Sequence, residues 1–217
     1  MTDAPRTERG NRTRSKLLVA AEKVFSECGY HEASIVRITE AAGVAQGTFY
    51  LYFGSKLEIF DELVEDLNRR VRHAMRDAME GAPTRLEAER AGYHGFFQFT
   101  AEHPALYRIV REAESVSPKA LRMHYTRIVD GYIEGLREAK DHGEIGDVDP
   151  AVVAWILMGI GEMVGMRWVL WGEDGAAGAD NDPTASGTSR VPDHVFEEMM
   201  SFIQRGLGAP EQRKGQA

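Results

Sequence analysis

The chain has 217 residues, 43% of them hydrophobic and 28% charged, enough for one large or two small domains with a true core, and this composition disfavours bulk disorder and an integral membrane protein. Cys28 is the only cysteine, which excludes an intramolecular disulfide and a thiolate-rich zinc site and fits a reducing, cytoplasmic compartment. The net charge of −8 is uneven: residues 1–56 hold eight Lys/Arg against six Asp/Glu and the remainder eighteen against twenty-eight, so the chain reads as two modules of different electrostatic character.

The first residues lack the apolar segment and small-residue cleavage site of a secretory signal. They are read as a flexible basic arm over 1–12, with Arg14 and Lys16 just beyond it. Leu17, Ala21, Val24, Phe25 and Cys28 keep helical spacing and predict a first helix of about four turns, stopped by Gly29. Ser34 caps a second, two-turn helix in which Ile35, Ile38 and Ala42 face inward, ended by Gly43. A third short helix is expected from Gln46 to about Phe53. Gly54 breaks it, and Ser55 with Glu58 makes a capping-box pattern for a long fourth helix running from Lys56 to near Glu80.

Thr84 and Glu87 repeat that pattern before a helix holding Phe96, Phe97 and Phe99, and His103–Pro104 separates it from a short helix through Tyr107 and Val110. Ser117–Pro118 and Asp149–Pro150 each set a capping side chain before a proline at the first helical position, predicting helices near 118–142 and 150–171. The second of these is apolar, but Glu162 and Arg167 interrupt it, so it is read as a buried or interfacial helix and not as a membrane span. Residues 172–191 lack large apolar side chains and read as a flexible loop. A last helix is expected over 192–207. The fold class is all-α, with about nine helices.

Two short helices joined by the tight turn at Gly43, the second without a continuous apolar face, form a helix-turn-helix pattern. Val44, Phe49 and Phe53 can anchor it, leaving Gln46, Thr48, Tyr50, Leu51 and Tyr52 for an outward surface able to enter a major groove. Residues 14–63, with AAEKVFSECGY at 20–30, ITEAAGV at 38–44 and GTFYLYFGSKLEIF at 47–60, resemble the DNA-binding domain of the TetR family of bacterial transcriptional regulators. That resemblance implies a DNA-binding domain over 13–56 and an effector-binding and dimerisation domain over 57–210.

It also implies roles at matching positions. Gln46, at the start of the recognition helix, would read an adenine edge through its amide. Gly47 would let the backbone approach closely, Thr48 would meet a phosphate or a thymine methyl, and Tyr50 and Tyr52 would give hydroxyls to phosphates. Leu51 lies on the same surface. Lys56 would add a charge at the phosphate backbone beside the amino end of the fourth helix. Ser34 and Arg37 are further candidates, Arg37 serving equally well as a solvated charge. Ala45 stands where the family often has Ser, so the recognition helix lacks a side-chain cap worth about 1 kcal/mol.

A single short helix reads only a few base pairs, so a homodimer on a near-palindromic double-stranded operator is expected, its heads ~34 Å apart. Trp155, Gly159, Gly161, Met163 and Gly165 on the eighth helix, with Phe196, Met200 and Ile203 on the ninth, are the candidate dimer surface. The glycines can equally admit large side chains within one subunit. The family implies a small, largely apolar effector that releases the repressor. Phe97, Tyr107, Arg108, Arg111, Met123, His124, Tyr125, Trp155, Met158 and Trp168 are candidates to line its pocket or to fill a core. An arginine among them would suit a carboxylate or a coenzyme A thioester.

Seven histidines are scattered without metal-binding spacing, and no phosphate-cradling glycine loop or nucleophile elbow occurs. No metal or cofactor is expected, and the chain is not read as an enzyme. A helical metal or cofactor enzyme and a DNA-binding regulator gated by a protein partner are the competing alternatives.

Overall fold

The starts and stops of the helices follow local chemistry. The computed structural model describes residues 8–171 and 191–208, and the protein is all-helical, with no strand among the described residues. Helix α1 (Glu8–Glu32) turns at Gly29, whose φ of 75° puts it where L side chains are strained. In α2 (Ile35–Ala42) the Ser34 Oγ accepts the Arg37 N–H, and Gly43 ends the helix in the left-handed region. Helix α3 covers only Gln46–Phe49, with Ala45 giving no side-chain cap.

Helix α4 (Lys56–Met79) opens with the Glu58 N–H donating to Ser55 Oγ, while the Glu58 carboxylate accepts from the Gly54 N–H. Helix α5 (Arg85–Glu102) is capped by Thr84; α6 (Ala105–Val116) and α7 (Pro118–Asp141) follow. The Asp149 carboxylate accepts the Ala151 and Val152 N–H groups at the head of α8 (Pro150–Val164). A π-helical turn, Gly165–Leu170, extends α8, and α9 spans Asp193–Leu207.

Two expectations change. The basic arm over 1–12 is already helical from Glu8 onward, and its first seven residues lie outside the described ones. The third helix closes at Phe49, not Phe53: Leu51 N–H donates to Thr48 O and Tyr52 N–H to Phe49 O, tight three-residue closures that end a helix lacking a cap. The 172–191 loop lies outside the described residues except for Val191, which is buried.

The chain divides into two compact units, residues 8–69 with 105–125, and residues 70–104 with 126–171 and 191–208. The division thus falls within α4 and α7, not at residue 56. In the first unit, α1 packs on α2 and α6, and α2 on α3. Leu17, Val24, Phe25, Ile38, Phe49, Phe53, Phe60 and Ile109 are essentially inaccessible to solvent, and Phe60 stands edge-on to both Phe25 and Tyr30.

The second unit closes around Tyr93, Phe97, Tyr132, Leu136, Leu157, Phe196, Met200 and Ile203. Inside it the Arg85–Glu89 ion pair is buried, and desolvation raises the Glu89 carboxyl even though Arg85 opposes that shift. The Arg85 backbone N–H donates to the Glu144 carboxylate at 2.6 Å, and the Tyr93 hydroxyl donates to the Leu157 carbonyl at 2.7 Å.

Candidate nucleic-acid interface

The short α3 cannot stand alone, and its inward side shows how it is held. Phe49 and Phe53 are fully buried, their rings 5.6 Å apart, which fixes the opposite edge in space. Gln46, Gly47, Tyr50 and Leu51 are exposed there, and Thr48 and Tyr52 are half-buried. Leu51, at 69% exposure, is as open as any large apolar side chain in the unit. A Cβ on Gly47 would meet nothing within 4 Å, so the absent side chain leaves the backbone open to a close approach. Arg37 is exposed on α2, and Ser34 is half-buried and occupied as a cap. The exposed Val36 on α2 escaped the sequence reading, although it neighbours two positions singled out there.

The edge offers amide, hydroxyl and methyl groups at one surface, the repertoire for reading base edges and holding phosphates. One expected member is absent from it. Lys56 Nζ donates to the backbone carbonyls of Tyr30 (2.7 Å) and Ala33 (2.8 Å) and lies over the Tyr30 ring, 4.3 Å from its centre. The ammonium closes the carboxy-terminal end of α1, where orphan carbonyls and the helix dipole favour a cation. In this position the ammonium is engaged with α1 rather than standing free on the α3 edge.

Helix α6 grips the same corner. Arg108 donates to the carbonyl of Ser26 at 2.5 Å and also reaches that of Glu27, and the Glu112 carboxylate accepts the Tyr30 N–H at 2.9 Å. Arg108, an effector candidate by sequence, is thus engaged with the backbone of α1. A side chain at Gly29 would run into the Glu112 carboxylate, so that glycine is needed for its φ and for space. Glu112 went unrecognised in the sequence because its partner is a backbone N–H 82 residues away. Arg14, next to the expected arm, instead pairs with Glu62 and lies over Phe53.

The remaining effector candidates divide between the units. In the first, Tyr107 and His124 are buried, Met123 and Tyr125 are half-buried, and Arg111 is exposed; Tyr125 stands edge-on to His124. In the second, Phe97 belongs to the core, with Met158 and Trp168 packed against that core. Trp155 is exposed and lines no interior. Asn68 was missed. It is buried, and its Nδ2 donates to the His124 carbonyl at 2.9 Å. The available signal was an amide among the apolar residues Val64, Leu67 and Val71 of α4.

The candidate dimer residues also separate. Trp155, Gly159 and Met163 are exposed, and a Cβ on Gly159 would meet nothing within 4 Å. Gly161 and Gly165 are buried, and a Cβ on Gly161 would come within 2.9 Å of the Tyr93 ring, so Gly161 serves packing against α5. Phe196, Met200 and Ile203 point into their own core. They form the inner stripe of α9, and the outer one carries Phe202, 59% exposed. The exposed apolar stripe of α8 consists of Val152, Trp155, Ile156, Gly159 and Met163, at spacings that share a helix face.

Residues 17–63 match the model of the family described as bacterial regulatory proteins, tetR family. The chain is 32% identical over 113 residues to the transcriptional activator FasR of Mycolicibacterium smegmatis, covering 52% of this chain and 50% of that protein. It is 47% identical over 64 residues to the transcriptional regulator YdgC of Bacillus subtilis, covering 30% of this chain and 33% of that protein. These matches span half and a third of the two relatives. The fold is similar to that of the fatty acid degradation regulator FadR from Bacillus halodurans, with a TM-score of 0.72 and 22% identity, covering 91% of this chain and 97% of that one.

Proposed function

We propose that the chain acts as a DNA-binding transcriptional regulator of the TetR family, whose model matches residues 17–63, and specifically as a cytoplasmic, homodimeric repressor released from a palindromic operator by a small, largely apolar effector. The observation that carries this reading is the exposed edge from Gln46 to Leu51 standing on a buried Phe49. Gln46 reads an adenine, Gly47 and Thr48 sit against the backbone, and Tyr50 and Tyr52 donate to phosphates, while Leu51 meets a thymine methyl or sugar. Ser34 and Arg37 flank this surface. Lys56, Arg108 and Glu112 act one step back, holding the α1–α2 corner against which α3 is set.

The second copy is seated on the stripe of Val152, Trp155, Ile156, Gly159 and Met163, with Phe202 beside it. Exposed tryptophan, methionine and phenylalanine favour a protein surface over water by roughly 25 cal/mol per Å² of apolar area covered. Pro150–Leu170 is apolar and long enough to cross a bilayer, yet Glu162 and Arg167 near its middle favour a helix partner over lipid.

Effector binding selects a spacing of the two heads that no longer matches successive major grooves. Helix α4 is the lever, because its first residue grips the reading unit. A coupling of ~1–3 kcal/mol would change DNA affinity roughly 5- to 150-fold. Selection of an operator from random duplex DNA, followed by a salt series, tests the DNA reading. A palindrome and a steep negative dependence of affinity on salt are expected, and the absence of any sequence preference at low salt would overturn it.

A further inference from the structure

A duplex is held chiefly through its phosphates, and the edge that reads the grooves brings little charge to them. From Val44 to Ser55 the chain has no charged residue. Arg37 is exposed on the neighbouring α2, with the exposed Glu40 three residues on, and the Lys56 ammonium is engaged with the carbonyls of α1. The whole chain carries a net charge of −8, so a duplex is drawn only to a locally positive surface.

Such a surface opens α1. Residues 9–16, RGNRTRSK, hold four cations and no acid, and all eight are helical. The helical period divides them. Arg14 turns toward α4, pairing with Glu62 and lying 5.3 Å from the centre of the Phe53 ring, which sets the opening turns of α1 beside the segment that closes α3. Arg9, Arg12 and Lys16 recur at three and four residues on the far, exposed side. Arg12 reaches Glu8 at 3.6 Å with both side chains largely in water, a pairing that salt screens easily. Arg9 and Lys16 form no ion pair among the described residues.

Resting on the DNA-binding reading above, we propose that Arg9, Arg12 and Lys16 form a second DNA contact, a helical clamp on the phosphates that flank the bases read by α3. Two turns separate Arg9 from Lys16, roughly 10.5 Å along the axis, against ~3.4 Å of duplex axis per phosphate on one strand. The two ends of the stripe therefore hold different phosphates. Labour is divided between the two contacts: the uncharged edge from Gln46 to Tyr52 selects the sequence, and the stripe on α1 releases the counterions and supplies the hold that is indifferent to sequence.

The test measures affinity by fluorescence anisotropy across a salt series, on the operator selected from random DNA and on the same operator with its outer flanks trimmed. It compares the wild-type chain, the double variant Arg9→Gln/Lys16→Gln, and Lys119→Gln/Arg122→Gln, which removes the same net charge from two exposed positions of α7. Arg9→Gln/Lys16→Gln should flatten the slope of log affinity against log salt by ~0.9 for each lost contact, or ~1.8 per head, and weaken binding at low salt by about tenfold or more. It should select the same operator and melt with the wild type, since both side chains are exposed. Trimming the flanks should weaken the wild type more than this variant, and the α7 variant should keep the wild-type slope. A slope unchanged in Arg9→Gln/Lys16→Gln, or flattened equally in both variants, overturns the clamp and leaves sequence reading by α3 in place. A wild-type chain that selects no operator overturns the DNA reading itself, and the clamp with it.

Discussion

The two units leave large side chains in water for opposite reasons. The first exposes Gln46, Tyr50 and Leu51 on a four-residue helix, a mixed edge rich in donors and acceptors. The second exposes Val152, Trp155, Ile156 and Met163 along one face of α8, a stripe without a polar side chain. Their interiors differ as well. In the first, side chains far apart in sequence, Lys56, Arg108, Glu112 and Asn68, bond to backbone groups, whereas in the second the rings of Tyr93, Phe97 and Phe196 pack together around the buried Arg85–Glu89 pair. Polar stitching fixes direction, which a reader of grooves requires. An apolar stripe fixes little except that something must cover it.

The comparison breaks first at the stripe. Trp155→Glu should dissociate the dimer and reduce operator affinity by about 100-fold or more, because a carboxylate would be buried without a partner. Sedimentation of the free chain checks this. Phe202→Glu should act in the same direction, while Phe196→Glu should unfold the second unit. Sedimentation and operator affinity unchanged by Trp155→Glu would mean that the stripe covers nothing of consequence.

Protonation tests the stitched interior. His124 titrates near 4 in the fold and near 6.5 when unfolded, so the unfolded chain takes up the proton first as the pH falls. Stability is therefore lost between about pH 6.5 and 4, by about 3 kcal/mol in all. Urea titrations across that range should show the loss in wild type and not in His124→Phe. A flat difference between the two would place His124 in a wetter setting.

Lys56→Met should cost about 2 kcal/mol of stability by uncovering the carbonyls of Tyr30 and Ala33. The slope of log affinity against log salt should stay nearly unchanged, because the ammonium faces α1. A slope shallower by ~0.9 would instead return Lys56 to a phosphate. Smallest in stability is Gln46→Ala, expected to lie within ±0.5 kcal/mol of wild type and to relax discrimination at one base pair by about 1–3 kcal/mol. Repeating the operator selection with this variant would show a single degenerate position in each half-site.

What the sequence disclosed was local. Ser34, Thr84 and Asp149 act within three residues of themselves, so their capping roles could be read from spacing alone, as could the stops at Gly29 and Gly43. The buried anchors Phe49 and Phe53 followed from the need of a short helix for support. The carbonyl partners of Lys56 were not legible because they lie 23 to 26 residues back, and a lysine beside a helix start looks the same from sequence whether it faces phosphate or carbonyls. Helix α9 misled by register. Phe196, Met200 and Ile203 have the periodicity of a buried face, but periodicity does not say whether that face covers its own subunit or a second one. The π-helical turn after Val164 left no signal, since its i→i+5 bonding depends on packing.

The most direct test of the account is the stoichiometry and spacing of the chain on an operator selected from random DNA. Two copies on a near-palindrome, with half-site centres about one helical turn or ~34 Å apart, is the result it predicts. A single copy on an asymmetric site, or binding indifferent to sequence at low ionic strength, would contradict it.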